Sequence, residues 1–296
     1  MKLSLLLPLA LVLAAAGGLG LVQHRLRPRI AAWALTGVAV AGAAAATSVL
    51  LTMAFAFVHG VPWFGHRMLW CVHLTSTADV ATWALGAVTT GWSVTAVVRV
   101  RRRRSAYRAL RAAGAQGPEV EIVAKGAPTA FSLPGRPGRI VVSESMLACL
   151  PRAEQAVLFA HELSHLSHRH DRFIHAADLA SDVFPLLAPL ASRVRYATER
   201  WADEDAAEAV GDRAIAARAV ARAALAQNDA GPRLGLGLAG LGVLQRVEAL
   251  MAGPPSGRIP AATLVATATS AIVVAASSTL QLHHLAMVAQ HVCRMS

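Results

Sequence analysis

Residues 154–175, EQAVLFAHELSHLSHRHDRFIH, contain the pattern H-E-x-x-H at His161-Glu162-Leu163-Ser164-His165. The surroundings are helical in character. Pro151 suits a first helical turn, Glu154 suits its positive start, and neither Gly nor Pro occurs again before Pro185. The stretch is therefore expected to continue as helix. On a helix, residues four apart share a face, so His161 and His165 can present two imidazoles to one metal ion. Glu162 lies beside them, in reach of an attacking water as general base.

Two imidazoles leave a divalent ion short of protein ligands, and Glu199-Arg200-Trp201-Ala202-Asp203 supplies what is missing. Glu199 and Asp203 are again four apart on a second expected helix. Glu199 can be the third ligand, and Asp203 can accept the free N–H of a ligating histidine and fix its tautomer. The same residues with Glu204, Asp205 and Glu208 also fit a solvated acidic face. Beside H-E-x-x-H the metal reading is preferred, with Zn2+ held by His161, His165 and Glu199. His168, His170 and His175 invite a larger metal cluster. A polar, partly exposed helix end accounts for them better, because one zinc needs only three protein ligands and positive groups suit a helix end. His168, seven residues from His161, lies on nearly the same face and is placed to support a ligand or donate a proton.

The chain has 296 residues, 55% of them hydrophobic and 15% charged, with a formal charge of +11 and a mean hydropathy of +0.48. That is membrane composition. Its arginines gather beside apolar stretches, which points to topology and anionic lipid. Aromatic residues are sparse and nucleic-acid motifs absent, so direct nucleic-acid binding is not expected. A bilayer crossing takes about 20 apolar residues, and four stretches qualify: Leu3–Val22, Ala31–Val58, Ala78–Val98 and Ala261–Leu282. Leu3–Val22 also has the length of a signal peptide, but Arg25, Arg27 and Arg29 follow it and favour a retained anchor. By the same rule these arginines and the run Arg99–Arg104 lie inside, loop 59–77 lies outside, and both termini lie outside. Residues 105–258 are then cytoplasmic and the chain is multi-pass. Of three cysteines, Cys71 and Cys293 fall on the oxidising side, where a bridge between them is an open alternative to free thiols; Cys149 falls on the reducing side.

The expected organisation is a three-span membrane domain (1–104), a peptidase domain (105–258), and a last span with a short tail (259–296). In the middle segment Arg104–Ala113 reads as a short helix stopped by Gly114. Val120–Ala124, Thr129–Leu133 and Arg139–Ser143 read as strands, the last two joined by the turn Pro134-Gly135-Arg136-Pro137-Gly138 into a hairpin. An exposed edge of such a sheet can hold an extended peptide through its backbone. Ser145–Leu150 reads as a short helix. Ala176–Ser192 is apolar but carries Asp178, Asp182 and two prolines, and reads as a membrane-surface or lid segment. The helix carrying Glu199 is expected to end at Gly211, with Asp212 capping Arg213–Asn228. Gly235-Leu-Gly237-Leu-Ala-Gly240 matches G-x-G-x-x-G, but no strand precedes it, so Gly231–Gly242 reads as loop and tight helix packing.

Taken together, Ala130-Phe131-Ser132-Leu133, Arg139-Ile140-Val141-Val142-Ser143, His161–His165 and Glu199 through Asp203 to Ala206 resemble the gluzincin core of membrane zinc peptidases. Three spans before the core and one after resemble the BlaR/MecR-type peptidases of bacteria, sensors whose action leads to cleavage of a cytoplasmic repressor. The HtpX and CAAX-processing peptidases share the core motif and are the nearest alternative. The resemblance implies an α-helical membrane protein with a small α+β gluzincin-like zinc peptidase domain and about four transmembrane helices. It implies His161, His165 and Glu199 as zinc ligands, Glu162 as catalytic base and Asp203 as a residue that supports a ligand. The implied partners are the lipid bilayer and a protein or peptide substrate, a repressor among the candidates. A β-lactam sensor of that type carries a large outer domain after its last span, whereas only the run to Ser296 follows Leu282 here. A catalytically silent receptor or scaffold with a structural zinc is the reading from another class.

Overall fold

The structure is a computed structural model that describes residues 26–60, 80–124, 126–229 and 236–254, together with residues 14, 17 and 18. In chain order the elements are α1 (Pro28–Gly60), α2 (Val80–Gly114), β1 (Val120–Val123), β2 (Ala130–Leu133), β3 (Arg139–Ser143), α3 (Glu144–Cys149), α4 (Arg152–Ser167), α5 (His170–Val183), a 3-10 turn (Pro185–Leu187), α6 (Ala188–Val210), α7 (Arg213–Asp229) and α8 (Leu236–Met251). Nearly all of Leu3–Val22, the whole of Ala261–Leu282 and both Cys71 and Cys293 lie outside the described residues. Among those described, one helix is long and apolar enough to cross a membrane, α1 from Pro28 to Leu50. Cys149 is exposed and unpaired.

Two expectations about helix ends are corrected. The third apolar stretch and the short helix Arg104–Ala113 are one element, α2. No Gly or Pro separates Trp92 from Ala113, and arginine is a good helix former, so the basic run continues the helix through residue 104. In the other direction, the expected unbroken helix around H-E-x-x-H divides in two. Arg169 adopts the left-handed conformation (φ 55°, ψ 49°) between α4 and α5, a conformation that costs a side-chain-bearing residue about 1–2 kcal/mol. The amides of His168 and Arg169 bond back to Ser164 and Leu166, which closes α4. Gly211 (φ 74°) ends α6, and Asp212 Oδ1 caps α7 by accepting from the amides of Ala214 and Ile215 at 2.8 and 3.0 Å.

The sheet has the order β1-β3-β2, with β1 parallel to β3 and β2 antiparallel to it as a hairpin. β3 is central and buries Ile140 and Val142 against Met146, Leu150 and Leu158 of the helices behind it. β2 is an edge. Its hairpin turn meets the end of α2 at backbone distance: a Cβ added at Gly114 would lie 2.4 Å from the Pro134 carbonyl, and one at Gly135 would lie 2.5 Å from Gly114. Neither position has room for a side chain, so the basic helix and the sheet are held in fixed relation.

The largest apolar cluster joins α1 to the rest. Ala31, Ala32, Leu35 and Ala39 of α1 pack on Phe173 and Ala177 of α5 and on Leu190, Val194 and Trp201 of α6. Small residues on α1 let the backbones approach closely. The 176–192 segment is therefore not a lid. Its apolar side supports α1, and its acidic side is neutralised, Asp178 and Asp182 pairing with Arg103 and Asp178 also with Arg195. A second cluster, Val157, Ala206, Ala207, Ala216, Ala217, Ala219 and Leu250, binds α4, α6, α7 and α8 together. Through it α8 is packed beside α6, where a loop with tight packing had been expected over part of its length.

Candidate metal centre

His161 and His165 stand one turn apart on α4, and α6 crosses α4 so that Glu199 faces them. His161 Nε2 and His165 Nε2 are 3.2 Å apart. Glu199 Oε2 is 3.5 Å from His161 Nε2, and Glu199 Oε1 is 3.5 Å from His165 Nε2. Ligands placed tetrahedrally about an ion at the usual zinc–nitrogen and zinc–oxygen distances lie about 3.4 Å from one another. The two nitrogens and the Glu199 carboxylate, which sets one oxygen 3.5 Å from each of them, lie close to that spacing. They form the His/Cys/Asp/Glu group of this kind among the described residues.

The opposite ring nitrogens settle which atoms face the site. His161 Nδ1 lies 3.1 Å from Asp203 Oδ1, one turn beyond Glu199 on α6. Asp203 is 2% exposed and also accepts from Arg246 of α8, whose Nε and Nη2 each lie 2.7 Å from its two oxygens. Arg246 Nη1 reaches Glu199 Oε2 at 3.0 Å. One guanidinium therefore holds both carboxylates that serve His161. His165 Nδ1 lies 3.0 Å from His170 Nδ1. With Nε2 of His165 facing the site, its Nδ1–H donates and His170 Nδ1 accepts, which places the single ring N–H of His170 on Nε2. That atom is buried without a hydrogen-bond partner, and the ring packs 4.7 Å from Trp201. His170 is fully buried, so the expectation of a polar, partly exposed helix end fails for it. The break at Arg169 swings the start of α5 under His165. His168 fits that expectation better: it is exposed on one side, and its Nε2 lies 3.1 Å from Asp205, which accepts from Ser164 at 2.5 Å.

The electrostatics agree with these roles. Burial and the neighbouring His165 lower His170 to about 3, and burial lowers His165 to about 4, so both are neutral imidazoles. For His161, burial opposes charge, but hydrogen bonds to Asp203 and Glu199 outweigh it and raise it to about 10. Metal uptake has to displace that proton. Burial also resists ionisation of Glu199 and Asp203. For Glu199 the His161 hydrogen bond and Arg246 outweigh it, and for Asp203 Arg246 and then His161 do so; both carboxyls are held below the usual range. Glu162 is shifted the other way: burial raises it, against the lowering pull of His161, which suits a group that must take a proton near neutral pH.

The three expected ligands, Glu162 and Asp203 are thus brought together, lining or adjoining a cavity of about 400 Å³ between β2, α4, α7 and α8. Residues 98–181 match the model of peptidase family M48. The match supports a metallopeptidase hydrolase of that family, whose members are generally zinc-dependent and often membrane-associated. No curated protein and no solved structure matches the chain. The matched segment includes α4 and its H-E-x-x-H but stops before Glu199, so the third ligand rests on the geometry alone. Arg246 and His170 were not singled out as site residues from sequence. The i, i+4 pairing that exposes Glu199 and Asp203 has no counterpart for either.

His170→Ala is expected to weaken Zn2+ binding by about 10- to 100-fold, the usual effect of removing a partner that orients a ligand. Competition with a chromogenic chelator measures it. An unchanged zinc affinity would show that His165 needs no acceptor at Nδ1.

Proposed function

We propose that the chain is a membrane-embedded zinc-dependent endopeptidase that cleaves a protein substrate at the cytoplasmic face. The carrying observation is the convergence of His161 Nε2, His165 Nε2 and the Glu199 carboxylate at 3.2–3.5 Å from one another, beside a buried carboxyl at Glu162. A divalent ion bound there supplies a Lewis acid that polarises the scissile carbonyl and makes water more acidic. The chain supplies the rest. Glu162 takes the proton of the attacking water and hands it to the leaving amine. Ser132 on β2 lies along the same cavity, so a substrate pairing with that edge strand would present its backbone to the ligands. Asp203 and His170 hold the two imidazoles in the tautomers that leave each Nε2 free.

The finer reading is a BlaR/MecR-type signalling peptidase acting on a cytoplasmic repressor, with four spans and both termini outside. It draws on the order of apolar stretches and on the arginine runs. Comparing the membrane and cytosolic proteomes of cells making wild type or Glu162→Gln tests the function directly. A new N-terminus that appears only with wild type names a substrate. Identical proteomes would remove the peptidase reading.

A further inference from the structure

Beyond the metal cleft lies a second cavity of about 410 Å³, at the far end of the hairpin turn. Arg111 of α2, Arg136 of the β2–β3 turn, Arg169 at the α4–α5 junction and Arg172 of α5 all line it. One carboxylate, Asp171, faces them, and it is engaged by the Tyr107 hydroxyl at 2.5 Å. Among the described residues Arg136, Arg169 and Arg172 form no ion pair. Arg111 is set against the face of Tyr107, 5.8 Å from the ring centroid. Five arginines elsewhere, Arg103, Arg139, Arg195, Arg213 and Arg246, each hold a carboxylate. The end of α2, the hairpin turn and the start of α5 bring four guanidinium groups to one hollow, three of them on exposed residues, and planar forks of this kind match carboxylate oxygens.

The hollow neighbours the cleft. A third cavity of about 420 Å³ shares Ser132, His165 and Ile174 with the lining of the metal cleft, and Pro134, Leu166 and Asp171 with that of the arginine hollow. Tyr107 and Leu110 of α2 line it together with Arg103, His175 and Asp178. β2 itself runs from Ser132, beside the metal ligands, toward the turn that carries Arg136.

We propose that the arginine hollow is a substrate subsite that binds an acidic stretch of the peptide, on the side of the scissile bond that faces the hairpin turn. This rests on the peptidase reading for the word substrate, and the site itself is a carboxylate-binding groove. The direction of the chain along β2 is left to the measurement, since the hollow serves either end.

The test uses full-length, zinc-loaded Glu162→Gln protein in nanodiscs of zwitterionic lipid, with three fluorescein-labelled peptides that differ only in a Glu, Gln or Lys triplet near one end. Anisotropy is expected to show the Glu peptide bound about tenfold or more tightly, with the ratio shrinking as salt rises. Arg136→Gln/Arg172→Gln is expected to bring the ratio to about one. Arg136→Glu/Arg172→Glu is expected to reverse it in favour of a Lys triplet, a gain that misfolding cannot mimic. Equal binding of the Glu and Gln peptides overturns the proposal. So does a preference that survives both double substitutions. Binding of inorganic phosphate or of phosphatidylglycerol vesicles without a preference between peptides also overturns it, because the hollow then takes a small anion or a headgroup. Cleavage is scored separately with the Glu162 form. Preference without cleavage removes the peptidase reading and leaves the subsite, while cleavage without preference does the reverse.

Discussion

Glu162→Gln is expected to keep Zn2+ at near wild-type affinity and to lose peptide hydrolysis by about 10²- to 10⁴-fold, the range attributable to a positioned proton acceptor. The two halves of this result have separate causes. Glu162 is not among the three side chains that converge as a candidate metal group, so these and their supports at Asp203 and His170 are untouched. Gln occupies nearly the same volume in a buried position, so the α4 packing survives. What changes is that an amide cannot accept the proton a carboxylate takes. His161→Ala is expected to differ by losing zinc and activity together. Metal content by atomic absorption, set beside cleavage of a peptide pool, separates the two variants. A Glu162→Gln protein that cleaves at the wild-type rate would assign the proton to another group.

The ligand set was legible because helix geometry repeats locally. His161 with His165 and Glu199 with Asp203 are each spaced by one turn, and the spacing alone places each pair on one face. The supports were not legible, for two physical reasons. Arg246 lies 43 residues beyond Asp203, on a helix whose glycine-rich start looked like loop, and a single arginine in a basic chain carries no local mark. His170 depends on the left-handed turn at Arg169, a conformation the neighbouring residue types do not announce. The hairpin was readable from the turn residues Pro134–Gly138, whereas its register and the parallel joining of β1 beside β3 depend on packing behind the sheet. The apolar character of α1 was evident, but not that one side of it is covered by α5 and α6 rather than by lipid. Hydropathy is the same for both environments.

Arg246→Leu is expected to destabilise the folded chain by about 3–5 kcal/mol, the cost of stripping the partner from a buried charge, and to lower zinc affinity as well. Asp203 is almost fully buried, and its ionised form is held against burial first by Arg246 and then by His161. Without the guanidinium, one imidazole edge must satisfy a carboxylate whose two oxygens were matched by the Arg246 fork at 2.7 Å each. Asp203 then tends to protonate, and a protonated Asp203 is a poorer acceptor for His161 Nδ1–H, so the imidazole that should face the ion loses its anchor. Glu199 is released at the same time, since Arg246 Nη1 reaches it at 3.0 Å. Arg246→Lys separates charge from shape. A lysine keeps one positive charge but cannot bridge Asp203 and Glu199 with a planar fork, so it is expected to recover part of the thermal stability and little of the zinc affinity. Thermal unfolding in detergent, with and without a chelator, reads the first quantity, and chelator competition reads the second. If Arg246→Leu unfolds at the wild-type temperature and binds zinc as tightly, then Asp203 is held by His161 alone and α8 contributes only packing to the site.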